Sequence, residues 1–457
     1  MGKLFNSVAV MLVFSLVCAG ESLAADVDLA TQVAELKELV LSQQKTIEDQ
    51  SRRIGELEKC YKGSCARLDE YDKEFENIKN MERDISGRLK GQMDRLTGLG
   101  ESGLDIGGGI TVVGQGTPNA NNADTTNGRS SRFDGSYSAD IEIAKQFDDG
   151  LAFVHMEAGQ GDTIEGELDV FSNVNRDAGD TSAHFDLTEA WYEHYFFDGQ
   201  YILTGGKLDA TAYMDTNEFA NDETTQYLGG IFRNSPTIEF PDDNSFGVRV
   251  NAAPSCLEWM ELGIVYADAD GDWENIFDEG FIGTQLSVST DKLLGHDPNE
   301  WKGNIRAFFW YNAKSHARIK DPSEFRRGNA GFGLNFDQRI AEIYGVFGRF
   351  GWADPKVSVL EFDWSLGANM AGKYWNRVDD IVAVAVGQVI PGEEYGDAGN
   401  PDASETHLEA YYAYKINDHI TLSPDIQLIW NPGGVDSAAE GDDDVIFVYG
   451  VRGQVDF

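Results

Sequence analysis

From Val445 to Phe457 the odd positions read Val, Phe, Tyr, Val, Gly, Val, Phe, while Arg452, Gln454 and Asp456 share the even face with Ile446 and Val448. A period of two with one greasy and one wet side is what a strand needs when it faces lipid outward and water inward. The same sidedness sets Leu360, Phe362, Trp364, Leu366 and Met370 against Glu361, Asp363, Ser365 and Asn369. It also sets Leu408, Ala410, Tyr412, Tyr414 and Ile416 against His407, Glu409, Tyr411 and Lys415. One such segment would also suit a soluble β-sandwich, but here the pattern persists. It predicts sixteen strands, at 103–114, 133–147, 150–161, 183–197, 200–210, 243–255, 256–268, 279–290, 302–314, 328–337, 340–352, 358–371, 378–390, 404–416, 419–430 and 445–457. An even count suits antiparallel closure, so the expected fold is an all-β membrane barrel. Between strands, 116–131 is polar throughout. The longest interruption, 211–242, carries Phe219, Tyr227, Leu228, Ile231 and Phe232, enough apolar surface to fold inward and constrict a pore.

A different period precedes the strands. Leu29, Val33, Leu36, Val40, Ile47, Ile54, Leu57, Tyr61, Leu68, Tyr71, Phe75 and Ile78 follow alternating spacings of four and three, which Ile85, Leu89 and Leu96 continue. This is a heptad seam, interrupted by Gln43, Gln50, Ser64 and Glu82. A single helix has nowhere to bury it. Either three barrels pool their helices in a homo-oligomer, a trimer, or the helix folds back at Gly63; the undisturbed phase favours the self-associating rod. A flexible acidic tether is the remaining alternative. At the start, Lys3, the apolar run Val8 to Val17 and Ser22-Leu23-Ala24 read as a signal peptide cleaved before Ala25, and Val17 ahead of Cys18 argues against lipoprotein processing. The expected organisation is thus 1–24 signal peptide, 25–99 periplasmic α-helical coiled coil, and 100–457 outer-membrane β-barrel.

Composition narrows the function classes. The formal charge is −42, which makes nucleic acid an improbable partner because phosphate binding needs clustered Lys and Arg. The 50 glycines and the 17 Tyr, 9 Trp and 26 Phe suit tight turns and aromatic girdles. Cys60 and Cys65 are close enough in sequence for a local or intersubunit disulfide, leaving Cys256 alone. No Cys-x-x-Cys-His occurs, which argues against covalent haem.

The segments Glu189-Ala190-Trp191-Tyr192, Gly206-Lys207-Leu208-Asp209, Asp215-Thr216-Asn217 and Asn221-Asp222-Glu223-Thr224, with Leu422 to Gln427, Asn431 to Gly434 and the closing Tyr449 to Phe457, resemble the carbohydrate-selective outer-membrane porin family, the OprB type. The resemblance covers about residues 103–457. It implies a sixteen-stranded barrel in the outer membrane of a Gram-negative bacterium, passing sugars and other small polar solutes by facilitated diffusion. The heptad rod is not required of that family, and the cell-wall-binding module that often accompanies such a rod is not recognised in this sequence, so cell-wall contact by the rod stays an open alternative. Constriction residues do not match one by one, and solute preference does not transfer with the fold.

If the polar face of each strand points inward, the solute-lining candidates are Lys207, Asp209, Arg249, Arg306, Glu361, Asp363, His407, Glu409, Lys415 and Arg452, with Trp191, Phe308 and Trp310 available for stacking on a sugar ring. Opposed charges across a lumen orient dipolar solutes and set ion preference. Asp268, Asp270 and Asp272, with Glu279, have the oxygen spacing of a calcium loop, although Trp273 stands where glycine is needed; an acidic surface turn is the plainer reading, and no other cofactor is expected. None of the seven histidines sits in a motif that fixes a nucleophile, so no enzyme is expected. Two alternatives to a sugar porin are a structural anchor whose coiled coil spaces or tethers the envelope, and a general or cation-selective porin without sugar preference, which the acidic charge favours.

Overall fold

The structure is a computed structural model, and it describes residues 103–121, 131–177, 181–436 and 445–457 together with Arg52. The signal peptide, the heptad seam and the Cys60 and Cys65 pair lie outside the described residues. The first eight strands are β1 Leu104–Thr117, β2 Arg132–Phe147, β3 Gly150–Gln160, β4 His184–Phe196, β5 Tyr201–Leu208, β6 Ser245–Ala252, β7 Met260–Asp268 and β8 Gly280–Ser289. The second eight are β9 Gly303–Ala317, β10 Phe325–Ile340, β11 Tyr344–Ala353, β12 Leu360–Gly372, β13 Arg377–Pro391, β14 Glu405–Asn417, β15 Ile420–Trp430 and β16 Ile446–Asp456. Each pairs antiparallel with its sequence neighbours, and β1 closes on β16 with Val113 opposite Arg452.

All sixteen expected strands are present, with shifts at some ends. β7 begins later than the alternation suggested because Pro254 leads into a helical turn at Ser255–Leu257. β10 is longer than expected at both ends, since its ladder with β9 resumes beyond an irregularity between Arg327 and Asn329. The parity rule orients the wall: Val112, Leu334, Val384 and Ile426 stand on the exposed outer face, which lipid covers in a membrane, while Thr111, Asn335, Asp363 and Gln427 point inward and are buried.

Short connections, such as Asp148–Asp149 and Asp418–His419, gather at the end where β1 starts and β16 finishes, and long ones at the other. Two of the long connections turn into the lumen. Residues 161–177, after β3, bring Ile164, Leu168 and Val174 against Ile429, Ile446 and Val448. Residues 209–244, after β5, bury Phe219, Tyr227, Leu228, Ile231 and Phe232, as their apolar content suggested. Tyr227 packs its ring 5.2, 5.7 and 5.1 Å from those of Phe232, Phe347 and Tyr411. Met214 and Ile238 join Phe281, Phe308 and Trp310 in a second cluster. At roughly 1.5–3 kcal/mol per large apolar side chain buried, these contacts give the loops a core of their own inside the barrel.

Candidate functional site

Apolar contact brings the loops in, and inward-pointing polar side chains hold them in register. Arg349 and Asp215 form a fully buried ion pair with Nε to Oδ1 at 3.2 Å. Arg349 also donates to the carbonyls of Phe232 at 2.6 Å and Ala220 at 2.5 Å, while Asp215 accepts from the Ser235 amide at 2.7 Å and from Asn335 Nδ2 at 2.6 Å. Asp215 has φ of 60°, a left-handed conformation that Asp tolerates better than most residues. Asp363 accepts from the hydroxyls of Ser235 at 2.5 Å and Thr237 at 2.6 Å. The chain approaches so closely here that a Cβ at Gly351 would collide with all three of these side chains. Glu409 accepts from the amides of Leu228 and Gly229 at 2.7 and 2.8 Å, and Arg452 Nη1 donates to the carbonyls of Glu223 and Gln226, both at 2.7 Å. Glu405 anchors the other loop through the amides of Phe171 and Ser172 at 2.9 and 2.8 Å. The loops also join each other, Arg176 N donating to Leu228 O at 2.9 Å and Ile231 N to Ser172 O at 3.1 Å.

What the loops leave open is a cavity of about 1170 Å³ against β1 to β4. Register sets its wall, since Glu142 lies opposite His155 and Asp140 opposite Glu157. His155 shares a 3.1 Å contact with Asp140 and a 2.8 Å contact with the Thr188 hydroxyl. The loops supply Arg176, Asp177, Asp209, Asp222, Glu223 and Arg233. Among the described residues, eleven carboxyl groups line the cavity with two arginines and two histidines. Arg233 pairs with Glu223 and donates to Asn234 Oδ1 at 2.8 Å. Asp177 is 7% exposed, accepts one bond from the Ser138 hydroxyl at 2.9 Å, and has its carboxyl pushed up to about 8, chiefly by burial.

A family model for OprB, the carbohydrate-selective porins, matches residues 124–457. The chain belongs to this family. A solved structure of Pseudomonas putida OprB, determined at high pH, superposes with a TM-score of 0.66 at 16% sequence identity, covering 79% of this chain and 96% of that one, a likeness of fold. An uncharacterized protein of Aquifex aeolicus is 24% identical over 228 residues, 49% of this chain and 58% of that protein. Porin AaxA of Chlamydia abortus is 29% identical over 142 residues, 31% of this chain and 30% of that porin. The matched stretches therefore span less than two thirds of either relative's length.

Within this OprB-family barrel the residues expected to meet solute divide sharply. Asp209 lines the cavity, its carboxylate accepting from the Thr211 amide at 2.8 Å. Trp191 points inward, half-buried, donating Nε1–H to Glu189 at 2.9 Å with its ring 5.0 Å from Phe153. Arg249 also faces inward, over the Tyr213 ring at 4.7 Å and 3.9 Å from Glu261. Lys415 sits near the short-turn rim, its Nζ 3.7 Å from exposed Asp418. The remaining expectations need correction. Arg306, Phe308, Trp310, Asp363, His407, Glu409 and Arg452 point inward but lie sealed beneath the loops, the most exposed of them at 8%. Arg306 is paired with Asp337, and His407 is held between Ser172 at 2.9 Å and Gln427 at 3.1 Å. They support the loops and do not line the channel. Lys207 pairs with Phe246 and Ala190 on the outer face, because Leu208 and Thr204 take the inward parity. Glu361 turns outward beside Trp352, since a bulge between Leu360 and Phe362 resets the alternation.

Sequence reasoning missed Arg349, Asp215 and Glu405 as anchors, and Asp140, His155, Glu157 and Asp177 as lining. Charged residues alternating along β2 and β3 were the available signal. Of the proposed calcium ligands, Asp268, Asp270 and Asp272 bring carboxylate oxygens within 4.8 Å of one another, whereas Glu279 is not in the group and meets Ala269 N through its backbone oxygen at 2.8 Å.

Proposed function

We propose that the protein passes carbohydrates and other small polar solutes across the outer membrane by facilitated diffusion, with cations favoured over anions. The observation that carries this reading is the cavity between the β1 to β4 wall and the two inward loops, lined among the described residues by eleven carboxyl groups against two arginines. As an equivalent sphere it is roughly 13 Å across, so even its centre lies about 6.5 Å from the wall, within the Debye length of about 8 Å at physiological ionic strength, and a passing solute stays in reach of the wall charge. Carboxylates and hydroxyls accept and donate hydrogen bonds to sugar hydroxyls in place of water, and the Phe153 and Trp191 rings offer an apolar surface to a sugar's C–H face.

The acidic excess makes a cation-selective channel without sugar preference the second reading, and one experiment separates the two. Single-channel conductance of the purified protein in a planar bilayer is titrated with mono- and disaccharides, and the reversal potential is read in a salt gradient. Saturable block by sugar with a cation-selective reversal potential supports the proposal. Cation selectivity with no effect of sugar leaves the second reading, and anion selectivity would sink both. We further assign residues 25–99 to the periplasm as a coiled coil joining barrels, three being the number to test. Cross-linking of full-length chain against chain lacking residues 25–99 should give a ladder only for the former.

A further inference from the structure

We propose that the turn following β7 binds a calcium ion through Asp268, Asp270 and Asp272. Calcium takes six to eight oxygens at about 2.3–2.6 Å, so two oxygens on opposite sides of one ion stand about 4.6–5.2 Å apart. One carboxylate oxygen from each of the three aspartates falls within 4.8 Å of the other two, the separation expected of groups sharing a single ion.

A cluster of acids on a surface turn is usually only solvated, and a second observation distinguishes this one. Asp268, at the end of β7, is 0% exposed, yet its Oδ1 has no hydrogen-bond donor among the described residues. Its Oδ2 accepts the Trp273 amide at 3.3 Å, which leaves Oδ1 as the oxygen without a partner. A buried carboxylate oxygen without a donor is unfavourable, and in company with two further carboxylates it is more so, unless a cation takes the place of the missing donor. Asp270 and Asp272 are half-buried and exposed respectively, which leaves water a route to complete the coordination shell. The turn is joined to the end of the long inward loop: Ser245 Oγ donates to Asp268 O at 2.6 Å, and Asp242 N donates to Ala269 O at 3.0 Å. A bound ion would therefore fix the place where that loop leaves the lumen.

Trp273 lies within the turn and supplies the assay, because an excited indole transfers energy to terbium, which shares calcium's oxygen preference. Folded full-length protein, stripped with chelator, is titrated with terbium by luminescence and with calcium by calorimetry. Terbium emission displaced by calcium is expected from the wild type. Asp270→Asn with Asp272→Asn, both on the accessible turn, should weaken calcium binding at least about tenfold, and Asp268→Asn should do the same from the strand end. Trp273→Phe should abolish the emission while leaving the calcium heat intact. Equal calcium affinity in the wild type and the Asp270→Asn/Asp272→Asn variant would overturn the proposal. So would emission that survives Trp273→Phe, which would place the ion among the acids of the lumen. Heat-modifiable mobility on gels verifies that each variant is a folded barrel.

Discussion

The wall from β7 to β15 and the wall from β1 to β4 obey the same parity rule, and both send polar side chains inward. They differ in what those side chains meet. On the first wall Arg349, Asp363 and Glu409 are buried and bonded to loop amides, hydroxyls and carbonyls. On the second, Glu142, Glu157 and Glu189 face an open cavity. Inward parity thus identifies a side chain as belonging to the lumen without saying whether water reaches it. The loops decide that, and they settle where the wall offers both apolar area and bonding partners.

The comparison is broken most directly at Arg349. Arg349→Met leaves Asp215 buried without its cation, a change that removes about 3–5 kcal/mol. The expected outcome is a lower unfolding midpoint together with larger, noisier single-channel steps as residues 209–244 leave the wall. Unchanged conductance in a folded variant would mean that the apolar contacts alone hold the loop. Glu409→Gln is milder, because the amide side chain keeps one acceptor for the Leu228 and Gly229 N–H groups; a loss of about 1–3 kcal/mol is expected, read as the shift in urea midpoint.

These anchors also mark where the sequence stopped being informative. Strand count, alternation and the inward folding of residues 211–242 were legible because each depends on local periodicity or on apolar content. The charges at His407, Glu409 and Arg452 were legible as inward for the same reason. Their burial was not, since it depends on loop residues more than 170 positions away, such as Leu228 against Glu409 with a separation of 181. Lys207 and Glu361 failed for a smaller reason: one residue of parity at a strand end, and one bulge, turn a side chain to the other face. The second inward loop left a fainter trace, in Ile164, Leu168 and Val174 scattered without period.

On the open wall the expected effects fall on selectivity and leave stability nearly unchanged. Glu142→Gln with Glu157→Gln should lower the cation-to-anion permeability ratio roughly twofold while moving the unfolding midpoint little, because rings of charge set ion preference at close range. The reversal potential in a salt gradient reads it. Asp177 adds a pH dependence. Its carboxyl, raised to about 8, is neutral in the folded protein below that value, so cation preference should rise between pH 7 and 9 and stay flat in Asp177→Asn. Because the folded value lies above the unfolded one, this group's contribution to stability falls as pH rises from about 4 toward 8. A cation preference independent of pH in the wild type would show that Asp177 does not face the permeating ions.

The smallest effect tests whether the long loop is pinned at its deep end as well as at its core. Glu218 lies 2.7 Å from both Lys302, just before β9, and Arg339, near the end of β10. Burial works against its charge, but the two cations outweigh it and hold the carboxyl below its ordinary value of 4.5. A depressed folded value means that the contribution is present above about pH 4.5 and is lost as pH falls through the folded value. With Lys302 nearly half exposed, solvent screening keeps that contribution to about 1 kcal/mol or less. Urea midpoints of the wild type and Glu218→Gln should therefore differ slightly at pH 7 and converge as the pH drops below 4. A difference that persists in acid would show that the ion pairs are not its source and leave the loop held by Arg349, Asp363 and Glu409, because the Glu218 amide bond to Asp337, at 3.3 Å, is the same in both proteins.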